Sequence, residues 1–244
     1  MAKYPKVTII TVCMNVADAL EKTLKNVARQ DYANKEIIVV DGASTDRTPA
    51  VLREMDSVID KSVSESDKGI YDAMNKGVGM AMGEYCIFMN AGDEFAEPCT
   101  LSRVFACDCD ADVIYGDVVK TGRDNKLYVK PAELPHNAHR MFFCHQSSLV
   151  RTECLREHPF DTEYTMSADF KFFKQMWKRG KKFHYLGFPV ALFDTGGVSN
   201  TRRGAGIRQN IEIIKELDGL WDRMRLLPRL YFVQFMLRLR SCGK

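Results

Sequence analysis

Short apolar runs alternate with amphipathic stretches along the first ninety residues. Val7 to Val12 is a β-branched run and predicts a strand. Asp18 followed by Glu21 has the form of a capping box, opening a helix whose inner face is Leu20, Leu24, Val27 and Ala28. A second strand starts at Glu36 and ends in Asp41. After it, Thr48 is placed to cap a helix with Pro49 at its first position and Val51 and Leu52 beginning its apolar face. A strand Ser57 to Asp60, a helix from about Ile70 to Ala81 and a strand Glu84 to Met89 follow. Strands separated by single helices predict the α/β class, a mostly parallel sheet flanked by helices.

Beyond Asp93 the pattern loosens. It predicts a helix from near Pro98, a strand Asp112 to Val119, and a hairpin turn over residues 121–126. A helix Ser167 to Arg179 follows, with Phe170, Phe173 and Trp177 on one face and Gly180 closing it, then a strand Phe183 to Phe193. The division expected is one domain over residues 1–200 and a basic amphipathic helical tail over 201–244.

In the tail, a helix from Ile207 through Leu217 is continued by Trp221, Met224, Leu226 and Leu227 up to Pro228, and Leu230 to Leu239 is nearly all apolar. About ten residues are too few for a hydrocarbon core that takes about twenty. Residues 202–244 carry ten Lys/Arg against four Asp/Glu, a local charge of +6, which leaves −3 for the rest of a chain whose net charge is +3. Apolar side chains with Arg223, Arg225, Arg229, Arg238 and Arg240 beside them suit an anionic membrane surface. The competing reading is a helix packed back on the domain or on a second subunit, as in a homo-oligomer.

Composition narrows the setting. Eight cysteines without a CxxC, several inside apolar runs such as Tyr85-Cys86-Ile87, read as reduced core thiols. The close pair Cys107 and Cys109 reads as an acidic turn rather than a metal site. The first residues lack the apolar stretch of a signal peptide, so a cytoplasmic protein is expected. A slightly acidic main region without a basic stripe argues against nucleic-acid binding.

The candidate chemistry lies where strands end in acids. Ile37-Ile38-Val39-Val40 leads into Asp41-Gly42-Ala43-Ser44-Thr45-Asp46, and the strand ending at Met89 leads into Asn90-Ala91-Gly92-Asp93-Glu94. Carboxylates leaving neighbouring strands line one crevice, as a nucleotide-diphosphate site requires. Three further segments, Ile9-Ile10-Thr11-Val12-Cys13-Met14-Asn15, Asp67-Lys68-Gly69-Ile70-Tyr71-Asp72-Ala73-Met74-Asn75-Lys76-Gly77 and Ser167-Ala168-Asp169, complete an ordered set.

In this order the motifs resemble those of the family 2 glycosyltransferases with the GT-A fold, especially the short bacterial enzymes of surface-polysaccharide assembly, such as the colanic-acid type. The resemblance covers roughly residues 5–200. It implies transfer of a sugar from a nucleotide-diphosphate donor with inversion, to an acceptor expected to be lipid-linked, on the cytoplasmic face of a membrane. It implies that Thr11 and Asn15 wall the nucleotide pocket and that Asp41 accepts from the base, for which uracil is favoured. Asn90 and Asp93 stand in place of the family's Asp-x-Asp, with Asn90 replacing the first acid, so Asp93 is the expected ligand of a divalent cation, Mn²⁺ or Mg²⁺. Asp169 falls at the general base, where the family usually carries two acids and this chain has Ala168.

Tyr71, Asp72 and Lys76 are expected against base, ribose or phosphate, although solvated charge on a helix is the plain alternative. His145 and Gln146 are expected to line the acceptor pocket. Gly196 and Gly197, with Arg202 behind them, have the form of a loop closing on diphosphate. Asp41 and Asp169 also admit simpler roles as a turn cap and a helix-start acid. Two other functions compete. A sugar nucleotidyltransferase shares the layout, but Thr11-Val12-Cys13-Met14-Asn15 contains no glycine for a phosphate loop. A non-catalytic sugar-nucleotide-binding subunit is suggested by Asn90 and Ala168. A processive synthase is disfavoured, since the Gln-x-x-Arg-Trp motif of such enzymes is missing.

Overall fold

The computed structural model describes residues 4–107, 109–121, 126–193 and 203–242. Its first half alternates strand and helix: β1 (Val7–Cys13), α1 (Ala17–Ala28), β2 (Lys35–Asp41), α2 (Thr48–Glu54), β3 (Lys61–Ser64), α3 (Ile70–Met80) and β4 (Tyr85–Phe88). Then come β5 (Glu94–Phe95), α4 (Thr100–Ala106), the hairpin strands β6 (Val113–Thr121) and β7 (Leu127–Lys130), β8 (Ser148–Arg151), α5 (Thr152–Glu157), α6 (Ala168–Lys178) and β9 (Phe183–Phe193). Two further helices are described, α7 (Arg203–Leu217) and α8 (Leu220–Cys242).

One sheet holds all nine strands in the order β3-β2-β1-β4-β8-β6-β9-β5, with β7 paired to β6. β3, β2, β1 and β4 are parallel neighbours, as are β6 and β9, whereas β8 runs antiparallel to both β4 and β6. The sheet separates two cores. Val7, Ile9, Ile37, Val39, Tyr85 and Ile87 face α1 and α4, and Ile10, Ile38, Val40, Cys86 and Phe88 face α3 and α6. Residues one apart on a strand thus enter opposite cores, which is why these buried strands read as continuous apolar runs.

Three expectations need correction. The strand placed over Ser57 to Asp60 is a 3₁₀ turn, Asp56–Val58, and the strand follows as β3, an edge strand in which Lys61 and Val63 are half-buried and Ser62 and Ser64 exposed. Neither Asp18 nor Thr48 caps its helix. Asp46 does so for both, accepting from Ala17 N at 3.3 Å and Thr48 N at 2.9 Å, while Asp18 pairs with Arg47 at 2.9 Å. Pro228 does not end the tail helix, for α8 runs through it.

The tail lies against the main body. Ile211, Ile213, Ile214, Leu226 and Leu230 form a third core with Phe170 of α6. Beneath it the Asp218 carboxylate is fully buried between Lys174 Nζ at 2.7 Å and Lys178 Nζ at 2.9 Å, and accepts from Asn137 Nδ2 at 3.2 Å.

Candidate nucleotide-sugar site

The register brings three strand ends level. Cys13 of β1 pairs with Asp41 of β2, and Asp41 with Ser64 of β3, while β4 flanks β1 on the other side with Phe88 opposite Ile10. The loops after β1, β2 and β4 therefore leave one carboxyl edge of the sheet, the edge at which open α/β sheets hold ligands.

Asp41 is fully buried. Its Oδ1 accepts from Ser44 Oγ, its Oδ2 from Ser64 Oγ at 2.6 Å, and Ser44 N lies 3.1–3.2 Å from both oxygens. The next residue must be small, since a Cβ on Gly42 would lie 2.6 Å from Asp67 Oδ2. Asn15, in the left-handed region at φ 54°, clips this turn to the end of β1. Its Oδ1 accepts from Thr45 N at 2.8 Å and Asp46 N at 3.3 Å, and its own N–H donates to Ser44 Oγ at 2.7 Å. Thr11 is fully buried in β1, and its Oγ1 has no hydrogen-bond partner among the described residues.

Across β1, residues 90–93 form a tight turn. Asp93 N donates to the Asn90 carbonyl at 2.9 Å, and Gly92 supplies the positive φ of 105° that such a turn requires. Thr23 of α1 fastens it: its hydroxyl donates to the Asp93 carbonyl at 2.8 Å and accepts from Gly92 N at 2.9 Å. The Asp93 side chain is buried, and the Asn90 Oδ1 beside it is a buried acceptor without a hydrogen bond among the described residues. The sequence pattern did not mark Thr23, because a threonine on the buried face of a helix looks like any other core position.

Tyr71 and Asp169 meet. The Tyr71 hydroxyl donates to Asp169 Oδ1 at 2.9 Å, and Phe170 N donates to the same oxygen at 2.8 Å. Burial, reinforced by the Asp169 charge, pushes the Tyr71 hydroxyl well above the usual tyrosine range. On the other side, Asp169 Oδ2 lies 3.9 Å from His145 Nδ1. His145 is boxed by the rings of Phe88, Phe160 and Phe173 at 5.0–5.7 Å, and its Nε2 is buried without a partner among the described residues. Burial lowers its pKa and Asp169 only partly opposes this, so the imidazole is neutral at pH 7. Ala168, where the family usually has a second acid, is fully buried in the core.

The base position and the acidic turn share neighbours. Burial raises the Cys144 thiol to about 11, with Asp93 adding to the rise, and the next residue is the His145 that faces Asp169. Gln146 accepts from Cys144 Sγ at 3.1 Å. Asp72 and Lys76 face outwards on α3: Asp72 accepts from Lys68 N at 3.0 Å, and Lys76 pairs with Glu65 at 2.9 Å and donates to the Ser66 carbonyl at 2.9 Å. They tie the segment after β3 to the helix. Gly196, Gly197 and Arg202 lie outside the described residues.

The sequence also left the buried acid of β6 unread. Asp117 of β6 accepts from Tyr185 Oη at 2.7 Å and Ala132 N at 2.9 Å. Its signal was a lone charge inside the run Val113-Ile114-Tyr115-Gly116-Asp117-Val118-Val119.

Comparison with known proteins agrees with this layout. The profile of glycosyl transferase family 2 matches residues 8–182, a span holding both strand-end acids and Asp169. The chain belongs to glycosyltransferase family 2. A PGL/p-HBAD biosynthesis glycosyltransferase of Mycobacterium tuberculosis is 31% identical over 206 residues, 81% of this chain and 80% of the relative. An uncharacterized glycosyltransferase of Haemophilus influenzae is 27% identical over 79% of this chain and 65% of its own length. Among solved structures, the mannosyltransferase PcManGT from Pyrobaculum calidifontis, in complex with GDP-Man and Mn²⁺, superposes with a TM-score of 0.66 at 21% identity, over 88% of this chain. S. aureus TarS 1-349 in complex with UDP-GlcNAc gives 0.65 at 16% identity, over 86% of this chain. This family 2 chain spans about 65% of the length of both solved chains, and at such identity the likeness shows the shared GT-A fold.

Among the described residues, no group of three or more His, Cys, Asp or Glu side chains forms a metal cage. A hard cation is nonetheless compatible with the turn after β4, where a buried carboxylate stands three residues from a buried, unbonded amide oxygen.

Proposed function

We propose that this family 2 chain is an inverting transferase that moves a sugar from a nucleotide-diphosphate donor, with a UDP-sugar favoured, to a lipid-linked saccharide acceptor of a cell-surface glycan. The observation that carries the reading is that β2 and β4 run parallel to β1 on either side, and that Ala91 N, bonded to the Val12 carbonyl, brings the turn after β4 up beside the end of β1. This sets Asp41 and the 90–93 turn on one edge, within the segment that matches the family. The mannosyltransferase relative with bound GDP-Man and Mn²⁺, and TarS with bound UDP-GlcNAc, support the donor class.

In this reading the base lies over the end of β1 and the 41–46 turn, and its N–H exchanges with a serine hydroxyl at Asp41. A divalent cation would be held by Asp93, with Asn90 beside it, and would neutralise the leaving diphosphate. The acceptor oxygen attacks the anomeric carbon from the face opposite the diphosphate. The C–O bond to phosphate breaks with its electron pair leaving on the nucleotide, and the acceptor proton passes to Asp169. General bases so placed contribute about 10²–10⁴-fold in rate.

The tail supports contact with lipid. Trp221, Met224, Tyr231, Phe232, Phe235 and Leu239 recur at helical spacing along α8 and are exposed, Trp221 by 82%, while Leu226 and Leu230 face inwards. Arg225 and Arg229 are exposed beside this stripe. Pairing two such faces would set arginine against arginine, whereas an anionic bilayer complements both the apolar and the basic parts. No helix among the described residues is long and apolar enough to cross a membrane, so the contact is peripheral and, in this reading, on the cytoplasmic face.

The test is calorimetric binding of UDP, GDP and dTDP, each with Mn²⁺, with Mg²⁺ and with chelator. Metal-dependent, base-selective binding is expected, and absence of binding in every condition would overturn the donor-site reading. Sedimentation with vesicles tests the tail. Binding to vesicles of phosphatidylcholine with phosphatidylglycerol, lost in Trp221→Ser/Phe232→Ser, is expected, whereas a dimer without vesicle binding would overturn the membrane reading.

A further inference from the structure

We infer that Tyr71 is a positioning residue for the general base, pinning one carboxylate oxygen of Asp169 so that the other is the proton acceptor. The inference rests on the proposed transferase reading. Two donors converge on Asp169 Oδ1, the Tyr71 hydroxyl at 2.9 Å and Phe170 N at 2.8 Å, and the second is part of the same helix start. The only side chain that reaches across from another element to fix the carboxylate, among the described residues, is Tyr71 of α3, which comes from the Gly69-Ile70-Tyr71-Asp72 segment 98 residues earlier.

The other oxygen is left differently. Oδ2 faces His145 Nδ1 at 3.9 Å, too far for a hydrogen bond and close enough for an ion pair only with a charged imidazole. The phenylalanine box and burial keep that ring neutral, so His145 does not hold Oδ2. One oxygen is therefore tied by two donors and the other remains basic. Among the described residues, Tyr71 and His145 are the titratable groups that face Asp169. The Tyr71 ring itself is seated on Phe160 at 5.5 Å, so its place does not depend on the hydroxyl.

Removing the tyrosine hydroxyl takes away one of the two donors that fix Oδ1. It also frees the carboxylate to rotate, which costs rate but not donor affinity. This separates the role from the alternative in which Tyr71 touches the donor nucleotide.

The experiment uses Tyr71→Phe in the full chain, with Asp169→Asn assigning the Asp169 signal by its loss. The Asp169 carboxyl signal is observed by ¹³C NMR in protein labelled at aspartate carboxyls. UDP-GlcNAc and GDP-Man are then supplied with Mn²⁺, and release of nucleoside diphosphate to water is followed against donor concentration. The expected result is a displaced Asp169 carboxyl signal, kcat about tenfold lower and donor KM unchanged. Restoring a hydroxyl that cannot reach, as Tyr71→Ser, should not rescue. An unmoved Asp169 carboxyl signal, or a raised donor KM with kcat intact, overturns the inference. Absence of turnover with either donor in the parent protein, despite the NMR shift, locates the failure in the transferase reading for those donors, and the catalytic role of Tyr71 falls with it.

Discussion

Ser64 and Asp41 are register partners at the ends of β3 and β2, and the Ser64 hydroxyl donates to Asp41 Oδ2 across 2.6 Å. The carboxylate proposed to receive a base is thus already satisfied by the protein. A uracil N–H gains only if it replaces a serine donor. Ser64→Ala is therefore expected to leave UDP affinity equal or tighter while lowering stability by about 1–2 kcal/mol. Asp41→Asn turns an acceptor into a donor facing Ser44 and Ser64, and is expected to weaken UDP binding about tenfold or more. Calorimetry and thermal melts on the two variants separate binding from folding. Equal affinity in Asp41→Asn would remove Asp41 from the nucleotide site.

Asp93 offers a cleaner separation of metal from base. Its backbone is held by Asn90 and Thr23, so Asp93→Asn keeps the turn and removes one negative charge. UDP binding in Mn²⁺ should fall to the level of the parent protein in chelator, with uridine binding unchanged. A full Mn²⁺ enhancement in this variant would place the cation elsewhere.

Much of this layout was visible in the chain, and the misses have physical causes. β9 was read to its ends because eleven residues between polar flanks offer no other period. β3 was misplaced because Ser57-Val58-Ile59 is more apolar than the edge strand Lys61-Ser62-Val63-Ser64 that pairs instead. The α1 cap was misread because capping rules look a few residues along the chain, whereas Asp46 reaches the start of α1 across 29 positions; at α2 the same Asp46, two residues before Thr48, takes the place given to the threonine. Pro228 was read as a stop. Leu226 and Leu230 bury on either side of it and hold the helix through the proline, which is itself exposed. At the site, the strand-end acids were legible as types in order, but the contact between Tyr71 and Asp169 joins motifs 98 residues apart and no local pattern encodes it.

Ala43 sits at φ 58°, in the left-handed region where a Cβ costs about 1–2 kcal/mol. Glycine there relieves the strain and loses part of the gain to a more flexible unfolded chain. Ala43→Gly should therefore stabilise the protein by up to about 1 kcal/mol, a rise in Tm of about 2–4 °C for a chain of this size. Calorimetric melting checks the sign. A lower Tm would mean that the Cβ makes contacts in the 41–46 turn worth more than the strain.

The Asp218 carboxylate joins the α7–α8 junction to α6, buried between Lys174 and Lys178. Burial raises its pKa, but the hydrogen bonds from the two lysines outweigh that and hold it below the usual carboxylate value of 3.8. A carboxylate depressed in the folded state contributes stability that is fully present above its unfolded pKa and is lost as pH falls through the lower folded one. The tail should stay docked at pH 5 and loosen only well below pH 4. Asp218→Asn leaves Lys174 buried without its counter-charge, a change that costs about 3–5 kcal/mol when a buried pair is broken. The expected outcome is a much lower Tm together with faster amide exchange across residues 203–242. If exchange in α7 and α8 matches the parent while Tm falls, the ion pair stabilises α6 alone and the tail is held by Ile211, Ile214, Leu226 and Leu230 without it.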